Sequence, residues 1–211
     1  MDFTKVIDRL QARLQDPLPG LSAHQRMVPE TYRNMRFSYP PENEGKQSGV
    51  LVLLYQKDGQ VHLPLIQRPQ YEKGAHGGQV SFPGGKVEPH DPNLTATALR
   101  EAQEEVGVDP NQVTVIGSLS KLFIQPSGFW VLPTVGYTEQ IPDFVPDQHE
   151  VDRILETPIN HLRDPLNLKE ISPKSGLPEF PYFDVDGHIV WGATAMMLAE
   201  FLHLYEEVLR P

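Results

Sequence analysis

The chain has 211 residues, 39% of them hydrophobic and 22% charged, with a formal net charge of −10. That length fits one large domain with a sizeable core, and the acidic balance, with Lys and Arg scattered, argues against electrostatic capture of a nucleic-acid backbone. The absence of cysteine excludes disulfides, thiolate metal sites and cysteine nucleophiles, and no apolar run approaches the roughly 20 residues of a membrane span.

Met1-Asp2-Phe3-Thr4-Lys5 has neither the apolar stretch of a signal peptide nor the Arg-rich character of a transit peptide, so a cytoplasmic location is expected. Phe3 to Leu14 reads as an amphipathic helix, with Phe3, Val6, Ile7, Leu10 and Leu14 on one side, ended by Pro17-Leu18-Pro19-Gly20. Pro40 to Gly45 is a surface loop. Val50 to Tyr55 is a continuous apolar strand, and Val61 to Gln67 pairs with it across Asp58-Gly59. A helix spans Leu94 to Val106 and stops at Gly107. Val113 to Leu119 and Trp130 to Tyr137 read as strands, and Val151 to Leu162 is expected to contain a helix. Tyr182 to Val185 and His188 to Trp191 form a hairpin about Asp186-Gly187. Ala195 to Leu209 closes the order as an amphipathic helix, with Leu198, Phe201, Leu202, Tyr205 and Leu209 inward. The order is α/β, without repeats.

The chemistry concentrates in the Leu94–Val106 helix. Glu101, Glu104 and Glu105 occupy positions i, i+3 and i+4, which gathers them along one side. At about 100° per residue, Glu101 and Glu105 fall near the line through Leu94 and Ala98, while Gln103 points the opposite way. The acids therefore border the apolar stripe, behind the double-glycine turn Gly84-Gly85. An arbitrary Glu-rich helix presents a solvated face. Here a cation between the carboxylates would relieve their repulsion, and hard oxygen ligands suit Mg²⁺ or Mn²⁺. Displacement at phosphorus is the chemistry that most often needs such an ion.

These residues resemble a known pattern. Gly85 through Val108 resembles the Nudix box, G-x5-E-x7-R-E-U-x-E-E-x-G-U with U aliphatic, through Arg100, Glu101, Ala102, Glu104, Glu105, Gly107 and Val108. Asp91 stands where the pattern has its first Glu, and eight residues instead of seven separate it from Arg100. That variant is similar to the coenzyme A pyrophosphatase subgroup, through Gly84-Gly85-Lys86-Val87-Glu88-Pro89-His90-Asp91 and Thr97-Ala98-Leu99-Arg100-Glu101. Upstream, Gly78, Phe82, Pro83, Gly84 and Gly85 match the subgroup's second motif. Gly74 replaces its second Arg, with Lys73 adjacent, Gln70 replaces a small residue, and Arg68 comes one position early. Lys is a point charge and does not reproduce an Arg fork. Pro126 to Phe129, Pro133 to Tyr137, Glu150-Val151 and Trp191 to Ala195 extend the resemblance over roughly residues 50 to 200.

The resemblance implies a Nudix α/β/α sandwich, a mixed β-sheet between helices, over residues 37–211. Residues 1–36 form an N-terminal helix and lead-in packed on it, giving a single globular domain. It implies Glu101 and Glu105 as metal ligands, with Glu104 as a third ligand or a water-orienting carboxylate. Arg100 would hold a glutamate through a charge-assisted hydrogen bond. Glu150 is the candidate general base, set at a helix start that would favour its ionised form. Arg68, Lys73 and Lys86 are candidate substrate contacts, and Gly84 and Gly85 let the backbone approach metal or phosphate. His76 and His90 lie near the box and could touch phosphate, although a lone histidine is more often structural. Trp191, Phe129 and Tyr137 read as core aromatics and not as a stacking set, and Met196 and Met197 as packing.

Three functions follow. The first is hydrolysis of coenzyme A or its thioesters to 3′,5′-ADP and (acyl-)4′-phosphopantetheine. The second is a Nudix hydrolase acting on another small-molecule diphosphate, such as ADP-ribose, NADH or a nucleotide sugar. The third is a binding domain without turnover, against which three intact glutamates count. Neither a nucleic acid nor a membrane is expected as partner, and nothing reports on oligomeric state, which leaves a homodimer open.

Overall fold

The computed structural model describes residues 2–33, 39–42, 44–70, 78–172 and 179–210. It opens with α1 (Phe3–Arg13), whose Phe3, Val6, Ile7 and Leu10 are buried at helical spacing. Two short helices follow, α2 (Leu21–His24) and α3 (Glu30–Arg33). Strand β1 (Lys46–Lys57) is the centre of the molecule, buried without interruption from Ser48 to Tyr55. It turns through Asp58 and Gly59, both at positive φ, into β2 (Gln60–Gln67), antiparallel with Tyr55 opposite His62. An Asp-Gly pair supplies the left-handed conformations that a two-residue hairpin needs.

Two short strands precede the glutamate helix. β3 (Val80–Ser81) pairs with β2, and β4 (Gly84–Lys86) pairs with the first half of β1. Helix α4 (Leu94–Val106) has the expected bounds: the Asn93 side chain accepts the Ala96 N–H at 2.9 Å, and Gly107 ends the helix at φ 75°. Then come β5 (Thr114–Ser118), β6 (Leu122–Ile124) and β7 (Phe129–Tyr137). β7 runs parallel to β1 from Lys46–Phe129 to Leu54–Tyr137, while β5 and β6 are antiparallel to it. The sheet is therefore mixed.

The expectation of a helix within Val151 to Leu162 holds only for its end. Residues Arg153–Pro158 form β8, paired antiparallel to β2 over six positions, and α5 (Ile159–Arg163) follows. Leu155 and Thr157 alternate inward as a half-buried strand requires. Pairing with β2 outweighs the local pattern. A second, three-stranded antiparallel sheet is built from β9 (Leu168–Ile171), β10 (Phe180–Val185) and β11 (His188–Val190), with Asp186 and Gly187 at positive φ in the turn. Helix α6 (Gly192–Leu209) closes the fold.

Alternation along the central strands sorts the core into two layers. Leu51, Leu53 and Ile66 pack on Ala98, Ala102 and Val106 of α4. On the other face, Val50, Val52, Leu54, Leu63 and Leu65 pack with α1 and with Leu198, Phe201 and Tyr205 of α6. This is an α/β/α sandwich in which the N-terminal helix shares the principal core. Met196 and Met197 pack against the same core. No described helix is long and apolar enough to cross a membrane.

Candidate active site

β4 delivers Gly84 and Gly85 alongside α4, and the two glycines meet the two inward glutamates. The Gly84 N–H donates to Glu105 Oε2 at 2.7 Å. A Cβ on Gly85 would stand 2.5 Å from the carboxyl carbon of Glu101, so only glycine leaves that carboxylate its place. A Cβ on Gly84 would stand 2.5 Å from Val50 Cα, in backbone that cannot yield.

Glu105 is 1% exposed. Burial, partly offset by the Gly84 N–H and the Arg68 charge, pushes its carboxyl up to about 8, and Glu101 and Glu150 add like-charge repulsion. Burial also raises Glu101, against the opposing hydrogen bond and charge of Arg100. Glu150 is near enough for its charge to act on both. It stands in a turn ahead of β8, so its expected place at a helix start is corrected.

Arg100 organises the outer side of this cluster. Its Nη2 donates to Glu101 Oε1 at 2.9 Å and its Nη1 to Glu104 Oε2 at 2.7 Å. Nε and Nη2 also grip Asp91 at 3.0 Å each, a bidentate pair. Asp91 further accepts from the Glu88 N–H and the Thr97 hydroxyl, both at 2.9 Å. Foremost the Arg100 hydrogen bonds hold the Asp91 carboxyl well below the usual carboxylate range. The variant position therefore anchors Arg100.

The structure brings together Glu101, Glu105, Arg100, Gly84 and Gly85, with Glu150 nearby. Arg68 reaches them too, its Nη1 lying 3.7 Å from Glu105 Oε1. Glu104 stands apart, 57% exposed on the Arg100 side. Lys86 offers its carbonyl to Arg100 Nη2 at 3.1 Å while the residue itself is exposed. Lys73 and His76 lie outside the described residues. His90 is a surface side chain beside Glu88 and Asp91. Phe129 and Tyr137 pack against the core as expected, whereas Trp191 is 42% exposed and is not a core residue.

Asp147 escaped the sequence reading: its Oδ1 accepts the N–H groups of His149 at 2.7 Å and Glu150 at 3.3 Å. The Asp-x-His-Glu run carries the signal of such a turn.

Among the described residues, no three acidic or histidine side chains converge to hold an ion as they stand. The donor set nevertheless fits a hard divalent cation. Two carboxylates, one fully buried, face a glycine cradle that any side chain would fill.

Comparison with known proteins agrees with this geometry. The NUDIX domain profile matches residues 45–173. The chain is 36% identical over 162 residues to the uncharacterized Nudix hydrolase NudL of Yersinia pestis (strain Pestoides F), covering 70% of this chain and 78% of that protein. It is 34% identical over 162 residues to Nudix hydrolase 22, chloroplastic, of Arabidopsis thaliana, covering 72% of this chain and 53% of that one. Nudix hydrolase 15, mitochondrial, of the same plant is 32% identical over 168 residues, covering 75% and 58%. The chain thus spans little more than half the length of these two plant relatives. Among solved structures, the Nudix hydrolase RenU of M. smegmatis superposes with a TM-score of 0.54 at 14% identity, covering 88% of this chain and 96% of that one. The NUDIX domain of Shewanella oneidensis NrtR, complexed with ADP ribose, gives 0.50 at 15% identity, covering 82% and 95%. The solved structures share the fold, and with a domain profile spanning more than half of its length, the chain belongs to the Nudix family.

Proposed function

We propose that the protein is a divalent-metal-dependent pyrophosphohydrolase that cleaves the diphosphate linkage of a nucleoside diphosphate derivative. The observation that carries this reading is the pairing of Glu101 and Glu105 against the Gly84–Gly85 cradle with Glu150 at hand. Glu101 and Glu105 would hold Mg²⁺ or Mn²⁺, with Glu104 joining them by leaving Arg100. When bound, the cation neutralises the diphosphate and makes the leaving phosphate group a better one. Arg100 orients Glu101, and the Gly84 N–H orients Glu105. Glu150 takes the proton of the attacking water. Arg68, beside Glu105, and Lys86 and Lys73 supply positive charge for the substrate's phosphates.

For the substrate itself we favour coenzyme A or an acyl-coenzyme A thioester, cleaved to 3′,5′-ADP and (acyl-)4′-phosphopantetheine. The reading is supported by Gly78 to Gly85, by the Asp91 form of the box and by Trp191 to Ala195. Gly74 and Gln70, which depart from the subgroup motif, favour a second reading, with ADP-ribose, NADH or a nucleotide sugar in its place. Purified protein would be incubated with Mg²⁺ or Mn²⁺ and equal coenzyme A, 3′-dephospho-coenzyme A, ADP-ribose and NADH, and the products separated. Release of 4′-phosphopantetheine with the highest kcat/KM is expected; a tenfold preference for ADP-ribose or NADH would replace the first reading with the second. Glu101→Gln and Glu105→Gln should each cost more than tenfold in rate, about 1.4 kcal/mol of barrier. Full activity of both variants at low Mg²⁺ would remove the metal assignment.

A further inference from the structure

A cleft of about 490 Å³ opens between the edge strand β3 and the small sheet, with Gln67, Val80, Phe180, His188, Ile189 and Trp191 among its lining. That volume is within the range of small-molecule sites. Trp191 and Ile189 are 42% and 39% exposed, although most of the neighbouring α6 is core. The Trp191 and Phe180 rings lie 4.9 Å apart between centroids and 36° from coplanar. Large apolar side chains left in water inside a concavity suit a ligand that covers them. Gln67, Gln79 and His188 add polar groups to this apolar, ring-bearing wall, which suits a planar ligand with hydrogen-bonding edges.

Its position ties it to the paired carboxylates. Gln67, in the cleft wall, directly precedes Arg68, whose guanidinium lies 3.7 Å from Glu105. The Arg68 N–H donates to the Gln79 carbonyl at 3.0 Å, and the Gly78 N–H donates to the Arg68 carbonyl at 3.1 Å. Gly78 and Gln79 also line the cleft. One short stretch of main chain thus carries the cation beside Glu105 and the wall of a ring-lined cleft.

We propose that this cleft is the base-stacking subsite for the nucleoside end of the substrate, with Trp191 and Phe180 as platform and Gln67 and His188 as hydrogen-bonding groups at the ring edge. The proposal rests on the pyrophosphohydrolase reading and adds to it the part of the molecule that recognises the substrate. A purine suits the two adjoining rings better than a flexible amide chain does, because stacking needs a planar partner.

Trp130 and Trp191 are the two tryptophans of the chain, so Trp130→Phe leaves Trp191 as the sole tryptophan, whose emission is read apart from that of tyrosine. Titration of that variant with AMP should quench its emission saturably, and ribose 5-phosphate, which lacks the base, should not. In steady-state assays, Trp191→Ala should raise KM for the preferred substrate at least tenfold with kcat within about twofold, and Trp191→Phe should restore most of the affinity. Equal effects of AMP and ribose 5-phosphate, quenching by 4′-phosphopantetheine but not AMP, or an unchanged KM in Trp191→Ala would each overturn the subsite. If Trp191→Ala does not fold, the fluorescence titration decides. Quenching by AMP in a protein that hydrolyses no diphosphate would instead sink the enzymatic reading and leave the nucleoside site standing.

Discussion

The main-chain N–H of Asp147 donates to the carbonyl oxygen of Glu105 at 2.9 Å. Beside it, the Val145 N–H donates to the Val106 carbonyl at 3.0 Å. Both acceptors belong to the last turn of α4, where carbonyls have no partner within the helix. The segment leading to Glu150 is thereby fastened to the helix that carries the paired carboxylates. Asp147 then closes the turn, its side chain accepting from His149 and Glu150 and its carbonyl from the Val151 N–H at 2.8 Å.

Asp147 should therefore act on turnover through Glu150. Asp147→Ala is expected to lower kcat about tenfold, equivalent to 1.4 kcal/mol, with KM little changed. Asp147→Asn keeps an oxygen acceptor for the same two N–H groups and should recover most of the rate. Steady-state kinetics on the three proteins check this. An alanine variant with the parental kcat, or an asparagine variant no better than alanine, would count against the linkage.

Gly85→Ala separates activity from folding. The three atoms nearest its Cβ would all belong to the carboxyl end of Glu101, a flexible group that can swing aside, so stability should stay within about 0.5 kcal/mol. Displacing that carboxylate should lower activity at least tenfold. Gly84→Ala would drive into the Gly49 and Val50 backbone and should be markedly destabilised. Urea unfolding beside a hydrolysis assay distinguishes the two, and a fully active Gly85→Ala protein would argue against Glu101 as a ligand.

What could be read in the chain was what local chemistry determines. Asn93 and Gly107 bracket α4 because caps act within a turn of the helix they end, and Asp58-Gly59 and Asp186-Gly187 mark hairpins through their own backbone preferences. Glu101 and Glu105 share a face because 3.6-residue periodicity puts them there. β8 was hidden because its conformation comes from pairing with β2, eighty-six residues of separation or more at Gln67–Arg153, a contact no local window contains. Trp191 was misplaced for the same reason: its exposure depends on a cleft between two sheet edges. Asp91 stands at the odd spacing of the box, yet loop closure brings it to Arg100 at 3.0 Å.

The Asp91–Arg100 pair should bear on both stability and metal binding. Asp91→Asn keeps the shape but removes the charge from a bidentate contact, and hydrogen bonds to charged groups contribute about 1.5–3 kcal/mol. A loss of that order in urea unfolding is expected. A higher Mg²⁺ requirement for activity should accompany it, because Arg100 is then freer to leave Glu101 and holds that ligand less well in place. Parental stability together with parental Mg²⁺ dependence would remove Asp91 from the groups that support the metal ligands.

Far from the carboxylate cluster, Glu200 of α6 is completely buried and ties the N-terminal segment to the last helix. It accepts from the Ser120 hydroxyl at 2.6 Å and the Gly20 N–H at 3.0 Å, and meets His24 Nε2 at 2.8 Å. Burial alone would raise its carboxyl, but the hydrogen bonds from His24 and Ser120 and the His24 charge outweigh burial, and the net direction is down. The folded chain then binds this proton less readily than the unfolded chain does. Its contribution to stability is complete above the ordinary carboxylate range, about pH 4.3 for glutamate, and is lost as pH falls through the lower folded value. Glu200→Ala strands His24 and Ser120 and should cost about 3–5 kcal/mol at pH 7. Glu200→Gln keeps an acceptor without the titration, so its stability should fall less steeply than that of the parent protein between pH 6 and pH 3 (both bounds chosen about the glutamate range). Urea midpoints across that interval test the point; parallel curves for the parent and Glu200→Gln proteins would show that Glu200 titrates alike in both states.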